Sequence, residues 1–390
     1  MTAGTSSLEF VLAAACCRLP GVARDLAVRG AAAQVEWRSF ERVARRHRIE
    51  GLAHAALSAA GVAPVGDSLR RAASTIARDG VLMAAETARL QAALDAAGVV
   101  NLVLKGATLD ILAWGRIGLK RAWDIDLLAL PADAVRARAV LERAGYALDD
   151  PADGSEAAFE TWVILAKEAV FRHRASGLVV ELHWRATDVA MLLPGLSAAS
   201  PARTVSLSAG LSLRTFADDD LFAYLCVHGT SHAWARLKWL ADLGAVLARL
   251  DEGGRCALWR RASDLGAGRC PTVALLLCER ILGLALPDSA VASIRADRKA
   301  ARLVALALDA MAGGQGAEIA ARPLMSERIL LSHLTFADGW DFLVAEARRQ
   351  AVSVDDRMRL RLPRAIAFLY APLRGPLFLW RRFRRVLRRS

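Results

Sequence analysis

VVNLVLKGATLDILAWGRIGLKRAWDIDLLAL, residues 99–130, carries the clearest signals of secondary structure in this 390-residue chain. Its first six residues are apolar apart from one Asn and rich in Val and Leu, which is typical of a short buried strand. Lys105-Gly106 ends that run, a helix is predicted from Thr108 to about Trp114, and residues 124–130 predict a second strand. The sequence therefore predicts a mixed αβ region here.

Helical patterns flank this region on both sides. Before Gly98, apolar residues recur at spacings of three and four, with Arg, Glu and Asp between them. The same spacing returns after Asp218-Asp219-Asp220, whereas residues 194–210 are rich in Ser, Ala, Pro and Gly and are interpreted as a linker. We predict an α+β fold, in which a small mixed β-sheet core is flanked by N-terminal and C-terminal helical regions. The predicted divisions are a helical region 1–98, an αβ core 99–194, a helical domain 195–370 and a basic tail 371–390.

The composition indicates which classes of protein this chain can belong to. Although 55% of the residues are hydrophobic, charged residues interrupt every apolar run before the roughly 18 residues that a membrane-spanning helix requires. The six cysteines lack paired CxxC spacing, which favours reduced core thiols over disulfides or zinc and predicts a cytoplasmic protein. The formal net charge of +12 favours anionic partners such as nucleotides, nucleic acid or an acidic membrane surface.

Much of the positive charge is concentrated at the C-terminus. Leu377-Phe378-Leu379-Trp380 precedes a cluster of arginines that contains no acid. A basic, aromatic segment of this kind binds an anionic membrane surface, RNA or an acidic partner. The sequence has no recognisable nucleic-acid-binding module, which favours peripheral contact with a membrane or an acidic partner. The arginines concerned are Arg381, Arg382, Arg384, Arg385, Arg388 and Arg389.

Three carboxylates form a candidate metal site. Asp124-Ile125-Asp126 lies on the second predicted strand, where residues two apart project from the same face. A predicted hairpin of residues 169–173 and 178–183 places Glu181, with His183 on its face, on a neighbouring strand. Carboxylates this close repel one another unless a cation lies between them, and Mg²⁺ prefers a few carboxylates together with water and phosphate oxygens.

Basic and glycine residues before these acids favour phosphate binding. Lys105-Gly106 lies between a strand and a helix N-terminus, where backbone amides and an ammonium group can meet phosphate oxygens. Arg116, Lys120 and Arg121 add positive charge to the loop that leads to Asp124. The alternatives are an ordinary helix start for Lys105-Gly106 and an ion pair between Arg121 and Asp124.

Together these motifs resemble a known family. Residues 102–106, LVLKG, and residues 121–128, RAWDIDLL, are similar in letters and in order to the uncharacterised nucleotidyltransferases of the DNA polymerase-beta-like superfamily. Residues 181–184, ELHW, and residues 228–243, HGTSHAWARLKWLADL, also resemble this family. The resemblance covers roughly residues 99–250.

The resemblance implies transfer of a nucleoside monophosphate from a nucleoside triphosphate (NTP), with Mg²⁺ or Mn²⁺ as the cofactor. It implies that Asp124 and Asp126 are the catalytic, metal-binding acids. Glu181 stands at the third acidic position, where the superfamily more commonly has Asp. For Glu181 the alternative is an edge-strand acid that pairs with Arg172 or Arg185.

The phosphate-binding turn departs from the superfamily in one respect. Gly106 is followed by Ala107, whereas the superfamily usually has Gly-Ser. Phosphate contact is therefore expected from Thr108 or Lys105 instead. The residues expected to bind the nucleotide are Lys105, Gly106, Thr108, Arg121 and Lys238.

Two pairs in the family-like helical segment have alternative interpretations. His228 and His232 lie four residues apart and share one helix face, which suits either a zinc site or, as is more common, packed or cleft-lining histidines. Lys238 and Asp242 have the same spacing, which is typical of an ordinary helical ion pair. Trp234 and Trp239 each suit a core or cleft wall, or a surface on which a base stacks.

Three functions fit this site. The first is nucleotidyl transfer from an NTP to an unidentified acceptor hydroxyl or phosphate. The second is a related transferase that modifies a protein or RNA, as a regulator or toxin does. The third is a nonenzymatic nucleotide-binding scaffold that keeps the fold without the chemistry.

Overall fold

The structure is a computed structural model that describes residues 7–63, 66–151, 154–312, 318–352 and 354–360, together with residues 369, 370, 372, 373 and 376. These residues form an α+β fold, in which a five-stranded mixed sheet and a two-stranded sheet are surrounded by helices. The predicted fold class is confirmed. The arginines predicted to bind a membrane or an acidic partner, residues 381–389, lie outside the described residues.

Helices occupy the described chain before Gly98, as predicted. They are α1 (Leu8–Cys16), α2 (Val22–Ala32), α3 (Trp37–His47), α4 (Glu50–Ala59) and α5 (Asp67–Ala96). The apolar stripe of α5, which includes Leu69, Ile76, Leu90 and Leu94, is buried. Gly98 follows the end of α5 with a φ of +66°, a conformation that glycine adopts at little energetic cost.

The five-stranded sheet contains both strands predicted from residues 99–130 and both strands of the predicted hairpin. Its strands are β1 (Asn101–Val103), β2 (Asp124–Ala129), β3 (Tyr146–Asp150), β4 (Glu168–His173) and β5 (Val179–His183). The spatial order is β1-β2-β5-β4-β3, with β2 and β5 parallel and the other neighbours antiparallel. The intervening helices are α6 (Ala107–Trp114), α7 (Ala134–Arg143) and α8 (Glu156–Leu165).

Alternation along β2 gives the sheet two chemically different faces. Ile125 and Leu127 are buried in a core that they share with α5, α7 and α8. Asp124 and Asp126 project from the opposite face because successive side chains of a strand alternate. Full burial of a side chain the size of Leu127 contributes roughly 1.5–3 kcal/mol. The apolar face therefore anchors the strand, and the acidic face is available for binding.

Residues 194–210 contain a strand, so their interpretation as a linker is wrong for the second half of that segment. β6 (Ala202–Ser208) pairs antiparallel with β7 (Leu211–Phe216), and Gly210 lies in the turn between them. Val205 and Leu213 face each other in this register and are both buried. The period-two pattern was obscured because Ser and Thr fill the alternate positions and are equally common in loops.

Helices also follow the second sheet, as predicted for the chain after Asp218. They are α9 (Asp218–Ser231), α10 (Leu237–Leu247), α11 (Glu252–Asp264), α12 (Cys270–Leu277), α13 (Asp288–Ala296), α14 (Arg298–Ala312), α15 (Met325–Ser332), α16 (Trp340–Ala351) and α17 (Val354–Arg359). Three aspartates in the first turn of α9 complement the positive end of its dipole. Within the described residues, no helix combines the length and the hydropathy that crossing a membrane requires.

The helices before and after the sheet share one hydrophobic core. It contains Leu12 and Phe40 from the N-terminal helices together with Phe222, Leu240 and Leu275 from α9, α10 and α12. The helices that precede the sheet in sequence thus pack against those that follow it, and both groups of helices contribute to the surroundings of the acidic face. The division of the chain into four regions stays a prediction.

Candidate active site

Acidic side chains meet on one face of the five-stranded sheet. In the parallel register of β2 and β5, Asp126 lies opposite Glu181, and Asp124 projects from the same face two residues earlier. Glu168 of β4 lies opposite His183 on the other side of β5. Three adjacent strands therefore present four carboxylates and one imidazole to the same space.

Asp126 is the buried centre of this cluster. Its carboxylate Oδ1 lies 3.0 Å from the Lys105 Nζ and 3.3 Å from the His183 Nε2. Burial alone would raise the pKa of Asp126, but the Lys105 ammonium and His183 outweigh burial and hold that pKa well below its ordinary value. His183 also lies 2.9 Å, through Nδ1, from the Glu168 Oε2. Asp126 is thus ionised and held on two sides.

The negative charge of Asp124 is less well neutralised by nearby positive groups than that of Asp126. Its side chain is half-buried, and burial together with the negative charge of Asp126 raises its pKa above the ordinary value. One donor atom each from Asp126, Glu181 and His183 lies within 4.8 Å of the other two. Asp124 is not in this group, which is the one found among the described residues. The group offers two carboxylates, which are preferred ligands of Mg²⁺, and the charge of a divalent cation would relieve the repulsion between them.

The turn from β1 into α6 reaches the acidic face. Gly106 precedes α6 with φ +79° and ψ −127°, a conformation that glycine tolerates and other residues rarely adopt. Lys105 and Gly106 both line the cleft above the acids, and the Lys105 ammonium is already paired with Asp126. Thr108 lies beneath this surface, because it is 1% exposed and its hydroxyl is 3.4 Å from the Lys105 carbonyl.

Arg121 borders the cleft without pairing with Asp124. Its guanidinium lies 3.4 Å from the Glu50 carboxylate at the start of α4, so the alternative of an Arg121–Asp124 ion pair is wrong. Glu50 is 3% exposed, which makes this contact part of the interior. The pairing ties the N-terminal helices to the chain that enters β2.

Glu181 does not pair with either arginine that the sequence suggested. Arg172 lies 2.7 Å from Asp149 on β3, and Arg185 donates to the Ala166 carbonyl. These contacts exclude the interpretation of Glu181 as an edge-strand acid in an arginine pair. Its partly exposed carboxylate remains directed at the acidic cluster, 3.6 Å from the His183 Nε2.

The predicted helical ion pair between Lys238 and Asp242 is absent. Asp242 lies 2.7 Å from the buried Lys120 Nζ and accepts a 2.8 Å hydrogen bond from Trp114 Nε1, because this side of α10 packs on α6. Lys120 also pairs with Asp110, so the positive charge that it was expected to add to the loop is neutralised by two buried carboxylates.

Lys238 lines the cleft instead. The closest hydrogen-bonding partner of its Nζ is the Arg121 carbonyl, 3.5 Å away. Burial, followed by the nearby positive charge of Arg48, lowers the pKa of Lys238 to about 8. An ammonium group in these surroundings favours an anionic ligand.

His228 and His232 form an aromatic wall of the cleft with Trp239. The ring centroids of the two histidines are 4.8 Å apart, and each lies 5.3–5.5 Å from the Trp239 ring. Burial lowers the pKa of His228 well below its ordinary value, so this ring is neutral. The group of potential metal ligands found among the described residues contains neither histidine, which favours the cleft-lining interpretation over zinc.

Several charged residues of the cleft were missed by sequence reasoning. Arg48 between α3 and α4, Arg236 before α10, and Lys167 before β4 line the same cleft as the acids. No local pattern marks Arg48 or Arg236, because their position depends on helix packing. Glu168 was accessible in principle, since extending the predicted hairpin places it opposite His183.

The geometry and one comparison agree on the class of protein. Clustered carboxylates on a mixed sheet, beside a glycine that starts a helix and a set of cations, suit a site for phosphate-containing ligands. A family model described as "Uncharacterised nucleotidyltransferase" matches residues 33–283, and the chain belongs to this family. It is accordingly a transferase of phosphorus-containing groups. Comparison with curated proteins and with solved structures gives no match.

The family match is longer than the resemblance seen in the sequence. It begins before α3 and extends through α12, and therefore includes helices on both sides of the sheet. The matched residues include Arg48, Glu50, Lys238 and Trp239, all of which border the acids or the chain that leads to them. The matched segment thus contains both walls of the cleft.

Proposed function

We propose that this protein transfers a nucleoside monophosphate from an NTP to an acceptor hydroxyl or phosphate. We further propose that Asp124, Asp126 and Glu181 hold Mg²⁺ or Mn²⁺ for this reaction. The register that sets Asp126 opposite Glu181, with Asp124 on the same face, carries this proposal. When bound, the cation would neutralise phosphate oxygens and stabilise the leaving group.

The protein side chains have separate roles in this proposal. Lys105 keeps Asp126 ionised and fixes its orientation through their 3.0 Å contact. Gly106 allows the chain at the start of α6 to approach a phosphate closely. Arg121 and Lys238, which are neighbours in the lining of the cleft, neutralise the triphosphate.

The reaction is an in-line displacement at the α-phosphorus. An acceptor oxygen forms a bond to that phosphorus while the bond to the β-phosphate oxygen breaks, and pyrophosphate leaves. When the acceptor is a hydroxyl, its proton passes to one of the clustered carboxylates. The aromatic wall formed by His228, His232 and Trp239 offers neutral rings on which a nucleobase stacks.

The test is nucleotide binding and pyrophosphate release with each of the four NTPs in Mg²⁺ or Mn²⁺. We expect the Asp124→Asn/Asp126→Asn variant to lose turnover by a factor on the order of 10²–10³ or more. Asp149→Asn is the matched control, because Asp149 is exposed on β3 and pairs only with Arg172 among the described residues.

The two alternatives give different results in the same assay. Metal-dependent nucleotide binding without pyrophosphate release would favour the nonenzymatic scaffold over the proposed reaction. Pyrophosphate release that requires an added protein or RNA would favour a macromolecular acceptor. Turnover of the double variant at the wild-type rate would show that the assignment of Asp124 and Asp126 is wrong.

A further inference from the structure

The cleft has two lobes that meet at the acids. One lobe adjoins the start of α6 and is lined by Gly106, Ala107 and Arg121. The other lies toward β4 and is lined by Arg48 and Lys167, among others. The residues shared by both lobes are Lys105, Asp124, His228, Lys238 and Trp239. A reaction that joins a donor to an acceptor requires two adjoining ligand sites, and this shape provides them.

Arg48 is held in a fixed position beside Asp124. It ends α3 in the left-handed region with φ +58° and ψ +39°, which is unusual for a residue other than glycine. Its backbone N–H donates to the carbonyls of Ala44 and Arg45. The guanidinium lies 5.3 Å from the ring centroid of Trp123, the residue directly before Asp124. Trp123 is 59% exposed, so this contact lies at the surface of the cleft entrance.

Arg48 and Lys238 are cations of the cleft without a carboxylate partner within 4 Å among the described residues. Other lysines of the cleft are paired, Lys105 with Asp126 and Lys167 with Glu168. The arginines Arg121 and Arg236 are also paired, with Glu50 and Glu318. Two half-buried positive charges that face the same space repel each other until an anion binds between them.

We propose that Arg48 and Lys238 together bind a phosphate group of a substrate in the lobe that they share with Asp124. This inference rests on the proposed function, because it takes the substrate to be a nucleotide or a phosphorylated acceptor. The subsite differs from the start of α6 and includes a residue of the N-terminal helices. It binds phosphate directly through side chains, and therefore retains affinity when divalent cations are removed.

The test is calorimetric titration of the full chain with inorganic pyrophosphate in EDTA. We expect wild type to bind pyrophosphate, and Arg48→Gln and Lys238→Gln each to weaken binding on the order of 10- to 100-fold, as expected for a lost charge-assisted hydrogen bond. Arg45→Gln is the matched control, since Arg45 is exposed on α3 and its loss also lowers the net charge by one. Thermal unfolding verifies that each variant is folded.

Competition with an NTP in EDTA identifies the source of the phosphate. Displacement of pyrophosphate by NTP assigns the subsite to the donor, in agreement with the role proposed for Lys238 at the triphosphate. Simultaneous binding assigns the subsite to the acceptor and contradicts that role of Lys238. No binding by wild type, or equal losses for Arg48→Gln and Arg45→Gln, would overturn the subsite. The Asp124→Asn/Asp126→Asn variant separates the two proposals, because it should lose turnover but keep pyrophosphate binding in EDTA.

Discussion

Two aspartates that are two residues apart have different electrostatic surroundings. Asp126 is compensated by Lys105 at 3.0 Å and by His183 at 3.3 Å. Asp124 lies closer to the cleft surface, and its pKa is raised by burial and by the charge of Asp126. In the absence of a bound cation, the Asp124 charge therefore opposes folding, whereas the Asp126 charge supports it.

Neutralising these two aspartates should change stability in opposite directions. We expect Asp124→Asn to raise the free energy of unfolding in EDTA by about 0.5–2 kcal/mol, because it removes like-charge repulsion. We expect Asp126→Asn to lower it by about 3 kcal/mol, because the positive charge of Lys105 loses its buried partner. Urea unfolding at pH 7 in EDTA measures both changes. Equal destabilisation by the two substitutions would contradict this account.

At the scale of the element, helix α9 is shaped by a close contact at Gly229. A β-carbon at this position would lie 2.5 Å from the Trp234 ring, which is fully buried and donates from Nε1 to the Thr230 hydroxyl. The histidines of the cleft wall, at positions 228 and 232, lie on either side of Gly229 in sequence. Packing of Trp234 therefore sets the end of α9.

Glycine replacements in two helices should have opposite effects. We expect Gly229→Ala to lower the free energy of unfolding by about 1–3 kcal/mol, because the added methyl group would overlap the Trp234 ring. Gly30→Ala in α2 is the matched control, since no atom lies within 4 Å of the added carbon. It should stabilise the protein by about 0.4–1 kcal/mol by reducing the entropy of the unfolded chain. Thermal unfolding of both variants tests the difference.

The loop between α6 and β2 depends on a buried lysine. Lys120 pairs with Asp110 of α6 and Asp242 of α10, and its Nζ is 2.7 Å from the Asp242 carboxylate. We expect Lys120→Met to lower the free energy of unfolding by about 3–5 kcal/mol, because two buried carboxylates lose their shared cation. Lys299→Met is the control, as Lys299 forms an exposed ion pair with Asp338 that should contribute about 0–1 kcal/mol.

Chemical unfolding of the Lys120 and Lys299 variants at pH 7 measures these costs. If the two variants lose the same small amount of stability, the Lys120 network does not hold the loop. If Lys120→Met also weakens nucleotide binding, the loop positions Arg121 and Asp124 for the ligand. Arg121 directly follows Lys120, and Asp124 begins β2.

At the scale of the whole molecule, the end of α3 is joined directly to the C-terminal helices. Arg46 donates to the carbonyls of Ala235 and Ala310, at 2.5 and 3.0 Å. The Leu237 N–H donates to the His47 Nδ1 at 3.1 Å. Because these contacts are buried and polar, the two helical regions satisfy each other's hydrogen bonds as well as sharing a core.

The described helices and sheet should therefore unfold together. We expect a single urea transition that is the same by tryptophan fluorescence and circular dichroism. Arg46→Met should lower the free energy of unfolding by about 1–3 kcal/mol, to the same extent in both signals, because it leaves buried carbonyls without donors. Arg45→Met is the control and should leave it within about 0.5 kcal/mol. Two separate transitions would instead indicate independent units.

The local chemistry of the acidic face could be predicted from the sequence. Alternation along a strand requires Asp124 and Asp126 to share a face, whatever the strand packs against. The Ser-Gly hairpin signal likewise predicted that β4 and β5 pair, and therefore that Glu181 and His183 lie on one strand. These predictions succeeded because backbone geometry over a few residues sets them.

Partners that are distant in sequence could not be predicted in the same way. Arg121 pairs with Glu50 and Asp242 with Lys120, although each has a closer candidate along the chain. The position of Arg48 beside Trp123 likewise follows from how α3 and α4 pack against the entry to β2.

The acidic strand, its hairpin neighbour and the α+β class thus follow from the order of the residues alone. Which cations neutralise the acids, and which remain available to a ligand, follows from the tertiary structure. A side chain's partners depend on how helices and strands pack, and the order of these elements along the chain does not reveal their neighbours in space.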